Sequence, residues 1–252
     1  YFYAHEDEFG NVDYINKSLK LTQSVHYVVS YEKLLSEDWR LKGELYYQDI
    51  SKLPVPNNPD KLFPPSISYI DENDTLINAG KGRNYGIEIT VQKFFTKQYY
   101  MMFSASLFDS KYKPINGKWY NTRFNSNYIF NLAGGKEIKW GENKMISLNG
   151  KMLWSGGQRT LPVDIAASIE SGETEYDLTD PFHNRLDDYF RLDLGIKLHF
   201  YKKKTEHIIM LDIQNVTNRM NSWYQYYSTE TEKVEDYYMA GIIPILSYRI
   251  EF

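Results

Sequence analysis

The 252-residue chain has no cysteine, which excludes disulfides, thiol nucleophiles and thiolate metal sites. It has no uninterrupted apolar run near the roughly 18 residues of a membrane-spanning helix. Neither sign of charge dominates: 29 Lys and Arg face 33 Asp and Glu, a net charge of −4, so neither a nucleic-acid footprint nor a polybasic tag is present. The five histidines, His5, His26, His183, His199 and His207, form no HxH or HExxH spacing, and no metal site is expected. Enzymatic constellations are scarce. Asp187, Asp188 and Asp193 could be imagined as paired carboxylates, but Arg191 and Lys197 share the face of Asp193, so an ion-pair ladder fits better than a glycosidase pair. No enzyme activity and no cofactor are expected. The opening YFYAHEDEFG carries acids where a signal peptide would carry its basic segment.

What the chain has is aromatic surface, 16% of residues, with 23 Tyr against 13 Phe and 5 Trp. Tyrosine suits a position where the ring sits in an apolar medium and the hydroxyl stays wet. It also has alternation, the period of a strand with two different surroundings. Val25, Tyr27, Val29 and Tyr31 share one face, as do Trp39, Leu41, Leu45 and Tyr47, then Tyr85, Ile87, Ile89 and Val91. Tyr99, Met101, Phe103, Ala105 and Leu107 continue the series, followed by Phe124, Tyr128, Phe130 and Leu132, and by Ile146, Leu148, Met152 and Trp154. The cleanest case is Phe190, Leu192, Leu194, Ile196, Leu198 and Phe200 against Arg191, Asp193, Gly195, Lys197 and His199. Residues 207–216 and the closing YYMAGIIPILSYRIEF complete nine strands, or ten with the first residues.

The breaks alternate in length. Those near 35–38, 95–98, 140–143 and 201–205 are short, and those at about 51–82, 109–121, 158–185 and 218–236 are long. Five prolines and the acidic run DENDT mark the first long break as a loop, since proline removes ladder donors. Asp71, Glu72, Asn73 and Asp74 lack the spacing of a calcium loop and read as solvated. Short turns at one rim and long loops at the other are how outer-membrane barrels are built.

Three stretches resemble a known family. The closing strand, with Tyr248, Ile250 and the terminal Phe252, resembles the assembly signal of bacterial outer-membrane β-barrels. LDIQNVTNR at 211–219, followed by a loop and that closing strand, resembles the penultimate-strand motif of TonB-dependent outer-membrane receptors, and GRNYGIEITVQKFF at 82–95 is similar to a strand following a long extracellular loop in the same family. The resemblance implies an all-β transmembrane antiparallel meander barrel of 22 strands, of which this chain supplies about nine or ten carboxyl-terminal ones. It further implies outer-membrane localisation, uptake of a scarce nutrient, and an expected preceding portion with a plug domain and TonB contact. Its partners would be the remaining barrel strands and plug, outer-membrane lipid, the barrel-assembly machinery and a surface lipoprotein.

On this reading Arg191, Asp193 and Lys197 face the lumen, and Lys93 is the clearest cation on the lipid face, close enough to a strand end to snorkel. The loop aromatics Trp119, Tyr120, Trp223, Tyr224, Tyr226 and Tyr227 are the candidate ligand contacts, although an outer girdle or loop-on-loop packing would also use them. Two other architectures accommodate the same pattern. One is a self-contained barrel of about ten strands acting as a porin, adhesin or assembly factor. The other is a soluble β-sandwich carbohydrate-binding module that buries its apolar faces in a core.

Overall fold

The computed structural model describes residues 4–6, 12–62 and 74–252. Nine long strands form one antiparallel sheet: β1 (Gln23–Leu34), β2 (Trp39–Pro56), β3 (Leu76–Thr96), β4 (Tyr99–Lys113), β5 (Tyr128–Lys139), β6 (Lys144–Ser155), β7 (Tyr189–Tyr201), β8 (Glu206–Gln214) and β9 (Ile243–Glu251). Spatial order equals chain order, so the sheet is the expected meander, with the two-residue strand Tyr120–Asn121 added beside β4. The opening residues do not supply a tenth wall strand. Ala4–Glu6 pairs with Val12–Tyr14 in a separate two-stranded ribbon.

Register converts nine separate alternations into one surface, because residues directly opposite in an antiparallel pair share a face. One row runs Tyr31, Gly43, Ile89, Ala105, Phe130, Trp154 and Phe190 across seven strands. The row Leu41, Val91, Phe103, Leu132, Met152 and Leu192 lies beside it, and Ile196, Leu211 and Leu246 continue the apolar face to β9. Among the described residues nothing covers this face: Val29 is 72% exposed, Leu45 56% and Leu246 75%. The soluble sandwich is therefore overturned, since a second layer would bury those side chains. Among the described residues the buried hydrophobics instead include Val55, Leu62, Tyr112, Tyr120, Phe182 and Tyr227, all at the long-connection end. Among the described residues no helix is long and apolar enough to cross a membrane. Phe190 and Phe200 stand ten positions apart, about 34 Å of strand, which at a tilt near 40° gives a band roughly 25 Å tall.

The short turns cluster at one end. Lys97 and Gln98 both take positive φ, 50° and 67°, as a two-residue turn of the primed type requires. Lys93, a cation on the apolar face, is 2% exposed. Its Nζ folds toward the turn, donating to Thr96 Oγ1 at 2.5 Å, lying 3.5 Å from Asp38 Oδ2 and 4.0 Å from the centre of the Tyr99 ring.

Strands run further into the long connections than the sequence suggests. The ladder of β2 continues through Pro54 to Pro56 because a bulge at Lys52, with φ of 56°, shifts its register there, and Pro56 still faces Leu76. The sheet stays open. Among the described residues β1 pairs only with β2 and β9 only with β8, so the nine strands do not close into a small barrel of their own.

Candidate functional site

The long connections pack into one rim, and the sequence of the second, NTRFNSN at 121–127, explains much of how. Asn125 is fully buried; its Nδ2 donates to Asp109 Oδ1 at 2.8 Å and Asn121 Oδ1 at 2.9 Å, while its Oδ1 accepts from the Ser110 amide at 3.0 Å. A short polar side chain with two donors and an acceptor can satisfy three partners at once. Arg159, from the third connection, then reaches across. Its guanidinium donates to the carbonyls of Asn125 (3.2 Å) and His183 (2.9 Å) and to Asn127 Oδ1 (3.2 Å), and burial lowers its pKa. Where β6 exits, a Cβ on Gly157 would stand 1.7 Å from the Leu186 carbonyl oxygen, so only glycine fits that approach.

The third connection is not irregular throughout. It holds a two-turn helix, α1 (Ile165–Ser171), capped by the Asp164 carboxylate accepting from the Ala167 amide at 3.0 Å and ended by Gly172 at φ 74°. The fourth connection is a hairpin, Ser222–Ser228 with Lys233–Tyr238, rather than a loop. Buried Asn221 clamps its base to the wall, exchanging two 2.9 Å bonds with the Phe190 backbone. Tyr176 and Thr174 tie the hairpin to the third connection, through Tyr176 Oη to the Gln225 carbonyl and the Tyr227 amide to Thr174 Oγ1.

Six aromatics stand as candidates, and the structure places them differently. Trp223 and Tyr224 are exposed at the hairpin base; Tyr224 stacks on Tyr237 at 4.9 Å with 10° between planes, and Trp223 lies 5.9 Å from Tyr224. Tyr226 donates to Glu235 at 3.1 Å. Trp119 stands apart, covered by the Arg83 guanidinium at 4.3 Å. Tyr120 and Tyr227 are 8% and 7% exposed and pack instead of presenting a ring: Tyr120 joins Leu62, Tyr112 and Phe182 in the core of the rim. Tyr237 joins the stack, whereas the sequence reading places it at the head of the closing strand.

Trp223 and Tyr224 line a cavity of about 370 Å³ with Arg123, Arg159, Tyr176 and Phe182. Two guanidinium groups and no carboxylate stand in its lining, so it suits an anion that also carries rings or apolar surface. Arg123 has no side-chain partner among the described residues, whereas Arg159 is held by three. Neither arginine was singled out in the sequence: Arg123 reads there as the polar neighbour of Phe124 in a strand alternation, whereas the strand begins only at Tyr128, and Arg159 lies in a long loop.

On the polar face Arg191 Nε meets Asp193 Oδ1 at 2.7 Å, and Asp193 also accepts from the Asn215 amide at 2.8 Å. Lys197 shares that face without joining the pair. Asp188 caps an aromatic cluster of Tyr128, Phe130 and Trp154, accepting from the Tyr128 hydroxyl and from Trp154 Nε1 at 3.3 Å. The Tyr128 bond is the largest cause of its lowered pKa. Tyr248 and Ile250 lie on the apolar face opposite Ile209 and His207, and Phe252 is 99% exposed beyond β9. Asp71, Glu72 and Asn73 lie outside the described residues; Asp74 pairs with Lys61. Among the described residues no three His, Asp or Glu side chains gather closely enough to hold a metal ion.

A family model described as "TonB dependent receptor-like, beta-barrel" matches residues 1–218. No curated protein matches the chain. Solved structures that share the fold include the ferric preacinetobactin receptor BauA from Acinetobacter baumannii, 13% identical with a TM-score of 0.63, covering 96% of this chain and 31% of that one. The ferric-catecholate import receptor Fiu from Escherichia coli K12 is 13% identical with a TM-score of 0.59, covering 92% and 28%. The ferric yersiniabactin uptake receptor FyuA from Yersinia pestis is 14% identical with a TM-score of 0.58, covering 92% and 30%. The chain thus spans less than a third of the length of each.

Proposed function

The chain belongs to the TonB-dependent receptor-like β-barrel family, and from that premise we propose that it forms one wall of an outer-membrane receptor that imports a scarce nutrient. The observation that carries the reading is the apolar face, continuous over nine strands in register and left bare. Burial in lipid removes that surface from water, and an antiparallel sheet in lipid must then find partners for both edges. Further strands of the same receptor complete the barrel beside β1 and β9, and a plug domain fills it. The receptor takes energy from the inner membrane through TonB, while the barrel-assembly machinery inserts it by way of Tyr248, Ile250 and Phe252. A surface lipoprotein is a further candidate partner. Short turns face the periplasm and the long connections face outward, an orientation supported by their segregation to opposite ends.

The rim cavity is the ligand-facing part on this reading. Its arginines and exposed rings favour an anionic ligand bearing aromatic groups, a description that ferric catecholate chelates meet. Cells producing the complete receptor are expected to bind such a chelate about tenfold more weakly when Arg123→Gln or Trp223→Ala is introduced, with receptor abundance unchanged. Uptake, unlike surface binding, stops when TonB is absent. Uptake that persists without TonB contradicts the transport reading, and unchanged binding in both variants contradicts the cavity assignment.

A further inference from the structure

At the short-turn end the apolar face changes character. Register places Lys33, Lys136 and Lys144 on that face, opposite Leu41, Tyr99 and Phe200. All three are exposed, and the ion pairs of this end, Glu32 with Arg40, Asp38 with Lys93, Glu206 with His199 and Glu251 with Arg249, leave them out. The residues sharing these rows and the adjoining ones, Trp39, Met101, Leu148, His207 and Ile250, include no carboxylate. Within these rows of the apolar face the charge therefore has one sign, the carboxylates of this end lying in the turns or on the polar face. The opposite margin of the same face runs Tyr27, Tyr47, Tyr85 and Asp109, with the Tyr85 hydroxyl donating to Asp109 at 3.0 Å.

Two further observations accompany the lysines. Lys144 Nζ lies 5.1 Å from the centre of the Trp140 ring and 5.9 Å from that of Phe200. Lys136 stands at the head of a shallow apolar hollow of about 590 Å³, lined by Tyr99, Met101, Leu148 and Leu194 where Gly150 contributes no side chain. A cation above an apolar groove, flanked by interfacial aromatics, has the polarity of a molecule with an anionic head and hydrocarbon tails.

We propose that this margin is a headgroup-binding belt for anionic glycerophospholipid, with Lys33, Lys136 and Lys144 contacting the phosphates and the hollow below Lys136 seating an acyl chain. The proposal rests on the reading that the apolar face lies in lipid. Basic side chains at an anionic membrane surface gain attraction from its negative potential, and long lysine stems reach it while their methylenes stay in the apolar layer.

The test uses the complete receptor in nanodiscs of phosphatidylcholine doped with brominated phosphatidylglycerol or with brominated phosphatidylcholine. Bromine quenches nearby tryptophan, and the signal of Trp140 is isolated as the difference between the parent and a Trp140→Phe variant. Brominated phosphatidylglycerol is expected to quench Trp140 more strongly. Each substitution K136Q or K144Q, the two lysines on the strands flanking Trp140, is expected to reduce the relative association constant, on the order of fivefold per lysine, while K136R and K144R retain it. Equal quenching by the two lipids, or a preference untouched by the glutamine variants, overturns the belt. A preference abolished by inorganic phosphate at matched ionic strength also overturns it, pointing to a free-phosphate site. Quenching by neither lipid is a different failure, because it removes the lipid-facing reading on which the belt depends.

Discussion

Leu45, in the middle of β2, is 56% exposed, whereas Leu62 and Phe182, in connections between strands, are 5% and 4% exposed. In a protein surrounded by water the two would exchange places: regular elements would bury their apolar face and loops would run over the surface. The inversion teaches that the two regions answer to different solvents. The wall saves its apolar side chains for an apolar medium, while the rim, which faces water, builds a small aqueous-type core of Leu62, Tyr112, Tyr120 and Phe182 to hold its own connections.

The comparison breaks most visibly in the rim core. Phe182→Ala removes a buried ring and is expected to cost about 3–5 kcal/mol locally, loosening the connections without dissolving the wall. Limited proteolysis should then cut within 156–188 while the heat-resistant mobility of the folded receptor on a gel is retained. Loss of both together would mean that rim and wall fold as one unit. The wall gives the next largest effect. Leu132→Arg, in the middle of the apolar band, is expected to destabilise the receptor in bilayers by about 2–4 kcal/mol. Leu178→Arg, on an exposed leucine of the rim, should stay within about 0.5 kcal/mol. Denaturant titrations from bilayers compare the two, and equal costs would erase the distinction between solvents.

The smallest effect concerns the short-turn end. Asp38 accepts from the Thr96 hydroxyl at 2.6 Å and lies 3.5 Å from Lys93 Nζ, and those contacts, the hydroxyl first, hold its pKa below the ordinary carboxylate value. A depressed carboxylate contributes stability that is present above the unfolded pKa and lost as pH falls through the folded one. Asp38→Asn should therefore weaken the parent near neutral pH, with the two stability curves converging in acid. Parallel curves throughout would remove Asp38 from the pH dependence.

The wall was legible in the sequence because its period is two and its two surroundings differ, as in Phe190 to Phe200. Register then had to agree across nine strands, and a one-residue slip anywhere would have thrown a strand's apolar residues onto the lumen side. The rim was less legible for physical reasons specific to each segment. Pro54 and Pro56 read as a strand stop, yet a bulge at Lys52 absorbs them. The helix Ile165–Ser171 carried its signals, Asp164 before it and Gly172 after it, but seven residues leave too little periodicity to stand out. Tyr120 and Trp223 look alike as loop aromatics. Only tertiary packing decides that one is buried beside Tyr112 and the other opens onto a cavity with Arg123.

The absence of cysteine offers the most direct measurement, because this chain adds no thiol of its own to a labelling experiment. Single cysteines placed along β7 at Arg191, Leu192, Asp193, Leu194, Ile196 and Lys197 in the complete receptor, embedded in outer membrane, can be challenged with a small water-soluble maleimide. Reaction at 191, 193 and 197 with protection at 192, 194 and 196 is the expected pattern, alternating with the strand itself. Reaction at every position, or protection of the odd-numbered ones instead, would contradict an apolar wall facing lipid.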